Sequence, residues 1–315
     1  MKTKLRFGFL MDPIEKILPD KDTTFVFMLE SQERGHEVLY FTPKTMYVKK
    51  GEPFALVRNA KVRRGSPHYQ LGAPMRIGLK DLDALFMRVD PPFTLDYLTQ
   101  TYFLDLIKNE VFVTNNPSAI RDANEKLFTL NFPDIIPPTV VTQDINMLKQ
   151  FLEEVGGEIV VKPLFASGGA GVFVLKIGDR NLNAILESTT DNGNKRVIAQ
   201  KYIPQARDGD KRIILLNGEF LGATARVPKE DEHRANIHVG GRCVKYTLSE
   251  RDKEIVNKVG PELRTRGLHF VGLDVLGDWL TEINVTSPTG VQEIDRLENT
   301  NLEALVIDFV EEQVR

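Results

Sequence analysis

Asp274, Glu282 and Asn284 are the side chains whose type and spacing most directly suggest a chemistry. They lie in GLHFVGLDVLGDWLTEINVTSPTG, Gly267 to Gly290, which reads as two short apolar strands joined at Gly277-Asp278. Side chains alternate along a strand, so Leu280, Glu282 and Asn284 share one face and Thr281, Ile283 and Val285 the other. A three-residue loop, Gly277 to Trp279, pairs Leu276 with Leu280 and sets Asp274 opposite Glu282. Burying unpaired charge costs on the order of several kcal/mol, so such a cluster normally holds a cation or a cationic partner. Two carboxylates, an amide and remaining water positions suit Mg²⁺ serving a phosphate substrate. The end of a hairpin carrying ordinary solvated charges has the same pattern, and the strands alone do not separate the two.

A second candidate follows Lys162-Pro163, where Leu164-Phe165-Ala166-Ser167-Gly168-Gly169-Ala170-Gly171 joins two predicted strands. Phosphate loops of the Walker A and dinucleotide types open a helix, and this one does not. A glycine loop between strands can fold over phosphates and offer backbone N–H groups, with Lys162 at its base; a wide hairpin is the plainer alternative. Arg88-Val89-Asp90-Pro91-Pro92-Phe93 follows a strand, where open α/β sheets place ligands, but also fits a rigid turn with a local Arg–Asp pair. The long polar stretch Pro228 to Arg242 has the composition of a lid. Its His233 and His238 are expected to be solvated rather than metal-bound, and Cys243 to pack rather than react.

These residues need elements to carry them. Leu5–Met11, Glu37–Phe41, Leu82–Met87 and Val111–Thr114 read as strands alternating with helices that begin near Asp22 and Thr94. Alternation of this kind predicts a parallel sheet with helices on its faces. Between them, 42–80 is polar, with short strands expected at 46–48 and 54–57. Asn116-Pro117-Ser118 opens a further helix, capped by Ser118 and carrying Asn124-Glu125-Lys126. Strands are expected at 139–142, 158–162, 172–177, 196–200, 213–216 and 219–227, and helices at 146–155, 181–188, 249–266 and 301–314. Ser249 with Asp252 forms a capping box for the helix that Gly267 stops. Three units follow: 1–122, an α/β domain; 123–203, a lid subdomain; and 204–315, a catalytic subdomain with a lid loop at 227–242.

The chain has 315 residues, 42% hydrophobic and 27% charged, as expected of a globular protein. Its net charge of −3 supplies no general attraction for nucleic acid. The single cysteine excludes an intrachain disulfide and a cysteine metal cluster, and fits a reducing, cytoplasmic setting. The start, MKTKLRFGFLMDP, reads as a first strand rather than a signal peptide, and no apolar run approaches a membrane span.

Together the motifs have a specific order. It runs Lys126, Lys162 with its glycine loop, Gln200-Lys201-Tyr202-Ile203, Arg212, Arg226, the lid, Asp274, Glu282 and Asn284. This order resembles the ATP-grasp superfamily, in which two α+β subdomains hold ATP between them. Met11-Asp12-Pro13, Met87 to Phe93, Asn124-Glu125-Lys126, Asp208-Gly209-Asp210-Lys211-Arg212, Gly240-Gly241-Arg242 and Thr281 to Thr289 make the chain similar, over nearly its whole length, to the bacterial glutathione synthetase family. The resemblance implies an ATP-grasp fold behind an N-terminal parallel-sheet domain. It implies that ATP with Mg²⁺ (Mn²⁺ as a substitute) activates γ-glutamylcysteine as an acyl phosphate, which glycine attacks to give glutathione. Arg212 and Arg226 would be catalytic. Lys126, Lys162, Ser167, Gly168, Gly169, Gln200, Lys201, Tyr202, Ile203 and Asp210 would bind the nucleotide. Arg226, Arg234, Gly240, Ser287 and Thr289 would bind substrate, and Asp274, Glu282 and Asn284 the metal. A cytoplasmic homo-oligomer, tetrameric, without nucleic-acid or membrane partners is implied as well. Other carboxylate–amine ligases of the superfamily, glutamate-adding or D-alanine-joining, and a non-catalytic ATP-binding regulator are the alternatives. One departure is local: the family's loop commonly continues Lys-Pro-Leu with Asp-Gly, whereas Phe165-Ala166 stands here.

Overall fold

The computed structural model describes residues 4–228 and 241–314. Its first unit contains, in chain order, β1 (Arg6–Met11), α1 (Thr23–Glu33), β2 (Glu37–Phe41), β3 (Met46–Lys49), β4 (Glu52–Val62), β5 (Tyr69–Gly78), β6 (Ala84–Arg88), α2 (Leu95–Asp105), β7 (Phe112–Thr114) and α3 (Pro117–Asp122). β2, β1, β6 and β7 are parallel neighbours, as the strand–helix alternation predicts. Asp22 caps α1 by accepting from Phe25 N, and Thr94 caps α2 by accepting from Tyr97 N.

Two expectations for this unit need correction. In the polar region 42–80 the short strand expected at 46–48 is present as β3, but the one expected at 54–57 is part of the longer β4, which forms an extended antiparallel hairpin with an unexpected β5. Its apolar residues on β4 alternate in burial while much of β5 is exposed, so apolar density alone hides the strand. α3 is capped by Asn116, which accepts from Ser118 N and Ala119 N, and it ends at Asp122. Asn124-Glu125-Lys126 therefore lies beyond the helix.

The middle unit is an antiparallel sheet of β8 (Thr139–Thr142), β9 (Glu158–Pro163), β10 (Phe173–Lys176) and β11 (Val197–Lys201), in the order β10-β9-β11-β8. α4 (Ile145–Glu154) and α5 (Leu182–Thr190) pack on it. The third unit has β12 (Asp210–Leu216), β13 (Glu219–Val227), β14 (Arg242–Lys245), α6 (Glu250–Arg266), β15 (Phe270–Leu276), β16 (Trp279–Asn284), α7 (Val291–Glu298) and α8 (Leu302–Gln313). Its strands run β14-β13-β12-β15-β16, all antiparallel. The Ser249–Asp252 capping box is present, and Gly267 ends α6 with φ +70°. β14 and α7 were not anticipated from the sequence.

The cores divide unevenly. The middle unit has its own cluster around Leu148, Leu152, Ile159, Val161, Leu175 and Val197. The first and third units share theirs, since Leu10, Leu85 and Ile120 belong with Ile213, Leu273 and Ile283 in one cluster. Buried polar groups fasten the same seam. Asn115, 3% exposed, donates to the carbonyls of Phe270 (2.9 Å) and Val285 (2.8 Å) and accepts from Phe270 N (2.8 Å). Arg88, also buried, donates to Thr24 Oγ1 (3.1 Å) and to the Pro288 carbonyl (2.8 Å) between the Phe27 and Phe270 rings, in place of the local Arg–Asp pair considered above.

Replacing Asn115 by alanine strands one buried N–H and two carbonyls. Asn115→Ala should lower unfolding free energy by about 2–4 kcal/mol in urea titrations. A loss under about 1 kcal/mol would show that the seam does not depend on this amide.

Candidate active site

The third sheet sets the charged residues in register. Asp210 and Arg226 face each other across β12 and β13, Arg212 and Asp274 across β12 and β15, and Asp274 and Glu282 across β15 and β16. Because Asp210 and Arg212 are two residues apart, they share a face, and the rest follow by cross-strand pairing. The expected opposition of Asp274 and Glu282 is present, but by a different path. Leu276 pairs with Trp279 and Val275 with Leu280 around a two-residue turn, and a register shift between Asp274 and Val275 takes up the extra residue. The predicted three-residue loop and the Leu276–Leu280 pair are absent, and Leu280 and Ile283 both enter the core.

Asp274 receives Arg212 Nε at 2.7 Å and Nη2 at 3.3 Å, and Arg226 Nη2 lies 3.1 Å from its Oδ2. Arg226 also grips Asp210 through Nε at 2.7 Å and through Nη2. Arg212 Nη1 reaches the Thr289 carbonyl at 3.0 Å. Two glycines make this packing feasible. A side chain at Gly272 would lie 3.2 Å from Arg212 Cδ, and one at Gly209 would lie 2.0 Å from the Arg226 carbonyl oxygen. Burial by itself would raise Asp274, but the two arginines outweigh it and hold the carboxyl at about 2. Arg226 is raised by Asp274 and Asp210 against the effect of burial.

Glu282 is the more open carboxylate. Lys126 Nζ stands 3.8 Å and Lys162 Nζ 3.9 Å from its Oε1, too far for hydrogen bonds. The two lysines come from different places: Lys162 from β9 of the middle sheet, Lys126 from the segment between the units. Burial lowers Lys162 below the ordinary lysine range; Glu282 opposes this and Lys126 adds to it. Asn124 fixes the Lys126 backbone by accepting from Lys126 N and Leu127 N, and its own amide reaches the Leu164 carbonyl at 3.1 Å. Lys126 Nζ donates to the Ala166 carbonyl at 2.7 Å, tying it to the glycine loop.

That loop joins β9 to β10 without a helix, as predicted, and Ala170 N turns back on the Ser167 carbonyl at 3.2 Å. Gly171 has φ +70°, and a side chain there would lie 2.9 Å from Pro163 Cγ. Phe165 is 59% exposed. Gln200 is buried and donates to Thr139 Oγ1 at 3.1 Å, while Lys201 N and Tyr202 N bond to Pro138 and Glu158 carbonyls. Ile203 lies against the Gly277 turn, so the chain crosses between the sheets beside the site.

For a divalent cation the available donors are uneven. Among the described residues no three His, Cys, Asp or Glu side chains form a metal cluster. Glu282 and the amide oxygen of Asn284, whose Nδ2 donates to the Gly272 carbonyl, fit a hard cation without rearrangement. Asp274 fits only by loosening a guanidinium. Ser287 Oγ is 3.5 Å from the Arg88 carbonyl, beside Thr289. Arg234 and Gly240, with most of the lid, lie outside the described residues.

Glu125 was named in a motif without a role, yet it belongs here. Its Oε1 accepts from Thr286 Oγ1 at 2.8 Å and its carbonyl accepts from Ile283 N. Burial, and then the charge of Glu282, push its carboxyl from 4.5 up to about 7, against Thr286 and Lys126. The folded chain thus holds a proton that the unfolded chain has released between these two values, so this group's contribution to stability falls as pH rises through that window. Glu125→Gln should raise the urea midpoint relative to the parent at pH 8 and not at pH 4. Equal shifts at both pH values would remove Glu125 as the source.

Comparison with known proteins agrees with this geometry. Residues 5–121 match the prokaryotic glutathione synthetase N-terminal domain, and residues 125–299 the prokaryotic glutathione synthetase ATP-grasp domain. The chain is 45% identical to a glutathione synthetase of Brucella melitensis biotype 1, covering 98% of both chains. It is 42% identical to one of Synechocystis sp., over 98% of this chain and all of the other. Among solved structures it is similar to the D-cycloserine synthetase DcsG (TM-score 0.68, 12% identity, 98% and 100% coverage). It is also similar to the ATP-grasp ligase PsnB complexed with minimal precursor, Mg and ADP (TM-score 0.64, 15% identity, 100% and 99% coverage). At those identities the likeness is one of fold.

Proposed function

The chain belongs to the prokaryotic glutathione synthetase family, and from that premise we propose that it ligates glycine to the cysteinyl carboxylate of γ-glutamylcysteine at the expense of ATP. The dipeptide carboxylate takes the γ-phosphoryl group, with ADP leaving. The glycine amine then attacks the acyl phosphate, the C–N bond forms, and phosphate departs as the amine loses its proton. The observation that carries this reading is the convergence of Lys126 and Lys162 on Glu282, one pairing away from Asp274 and Arg212.

In this reading Lys126 and Lys162 neutralise phosphate oxygens, and the loop bearing Ser167, Gly168 and Gly169 covers them. Gln200, Lys201, Tyr202 and Ile203 line the adenine side, with Asp210 on the nucleotide side. Glu282 and Asn284 hold Mg²⁺, or Mn²⁺ in its place, with Asp274 behind them. Held there, the ion would supply positive charge to offset that of the phosphates. Arg212, fixed by Asp274 and the Thr289 carbonyl, is aimed by both contacts and stabilises anionic charge developing at the acyl group. Arg226 orients Asp210 and Asp274 and faces substrate from behind them; Ser287, Thr289 and, from the lid, Arg234 and Gly240 complete the dipeptide side. The units 1–122, 123–203 and 204–315 divide these tasks, in a cytoplasmic homotetramer acting on small molecules. No helix of the described residues is long and apolar enough to cross a membrane.

ADP formation by the purified chain should require both γ-glutamylcysteine and glycine. Turnover with another acid or amine but not this pair would overturn the substrate assignment. Glu282→Gln should cut turnover by roughly 10²-fold or more without loss of fold, measured by coupled ADP release and circular dichroism. Arg212→Ala should lower kcat far more than it raises the ATP KM; a defect confined to ATP binding would show the role misassigned.

A further inference from the structure

Asn124 follows α3 and precedes the two residues already placed at the site, Glu125 and Lys126. Its Oδ1 accepts from Lys126 N and from Leu127 N, both at 3.0 Å, and closes the turn that leads into the short 3-10 helix Leu127–Asn131. Both partners are N–H donors, so the amide oxygen must face them and the amide nitrogen must face away. There Nδ2 donates to the Leu164 carbonyl at 3.1 Å. Closing the turn needs only an acceptor oxygen, which serine would supply as well. The nitrogen half of the side chain is spent on a different body, the glycine loop of the middle unit.

Both ends of the Lys126 side chain depend on that one amide. The backbone end is set by Asn124 Oδ1. The ammonium end, on a buried stem, donates to the Ala166 carbonyl at 2.7 Å. Leu164 and Ala166 are two residues apart in the loop, so the carbonyl that Asn124 holds governs where the carbonyl that Lys126 uses will stand. A lysine stem has many rotamers, and anchoring it at both ends removes most of them before any ligand arrives. An ammonium has three donors, so its bond to Ala166 is compatible with another to a phosphate oxygen. Asn124, Leu164, Ala166 and Ser167 line one cavity, which sets these contacts beside open space and not in a core.

We propose that Asn124 is a positioning residue for the nucleotide: it holds the glycine loop and the Lys126 ammonium in one register, so that both meet the same phosphates. This rests on the nucleotide role given above to Lys126 and the loop. Asn124 touches no phosphate in this arrangement. It lowers the cost of gathering two groups that ride on separate bodies, Lys126 on the segment between the units and the loop on β9 and β10. Without the amide nitrogen, the two must be ordered against each other when the nucleotide binds. The loss therefore falls on nucleotide affinity and not on the attack of the amine.

The test uses Asn124→Ser, which keeps an acceptor for the turn but cannot reach Leu164, beside Asn124→Ala, which loses both contacts. Titration calorimetry with Mg²⁺ and the β,γ-imido analogue of ATP should show a dissociation constant raised by roughly fivefold in the serine variant, whose Tm stays near that of the parent. The alanine variant should show at least that loss of affinity and a lower Tm. In the nucleotide-free chain, amide hydrogen exchange over 164–171 should be faster in both variants. Steady-state kinetics should place the defect in the KM for ATP, with kcat and the KM values for γ-glutamylcysteine and glycine little changed. Unchanged affinity or unchanged exchange in the serine variant would overturn the proposal and leave Asn124 as a turn residue. Equal rises in all three KM values would overturn it in favour of general loosening. A parent chain that does not bind the analogue would overturn the nucleotide role of Lys126 as well.

Discussion

Asp274 is buried within the third sheet, and its charge is sustained by Arg212 and Arg226. Burying an ion pair is seldom a net source of stability, because desolvation cancels much of the attraction. What the pair supplies is direction. A bidentate contact from Arg212 and a shared one from Arg226, itself anchored on Asp210, leave each of these planar groups few orientations. Arg212 is then aimed at the Thr289 carbonyl. Removing either charge type would leave its partners buried and uncompensated, so the four residues stand together.

Around that fixed frame, the parts that meet phosphate are divided between bodies with separate cores. Lys162 and the glycine loop ride on the middle sheet, whose apolar cluster is its own. Glu282 and Arg212 ride on the third sheet, fused to the first unit through a common core and through Asn115 and Arg88. Lys126 sits between, bonded by its ammonium to Ala166 and standing near Glu282. A site built across two cores can open and close by relative movement of the middle unit while its catalytic floor keeps its geometry. Phe165, at the base of the glycine loop, is exposed on the middle unit's side of the site.

The cleft is also electrostatically graded. Asp210, Asp274, Arg212 and Arg226 are mutually balanced, while Lys126 and Lys162 stand beyond hydrogen-bond reach of Glu282, Lys126 Nζ bonding instead to the Ala166 carbonyl. Anionic phosphates and a divalent cation would complete that second group without disturbing the first. Glu125 lies at the border, its proton retained to near-neutral pH by burial first and then by the charge of Glu282.

Much of this was legible in the residue order. Alternation and capping place most strands and helices, since both are properties of near neighbours; α6, with its capping box and terminal glycine, is read almost to the residue. The hairpin around Gly277 was expected to set Asp274 opposite Glu282, and it does, though through a two-residue turn and a register shift rather than the three-residue loop expected. The bulge that achieves it was not legible, because register depends on which side chains the core accepts, here Leu280 and Ile283 together. The full length of β4 and its partner β5 were not legible because the largely exposed β5 lacks an apolar signature, although residues 54–57 of β4 read as strand. Nor can local pattern show that Asn115 holds Phe270 and Val285, or that Arg226 spends its donors on two aspartates. Those are decided by packing across the seam, where burial sets which polar groups find partners and which do not.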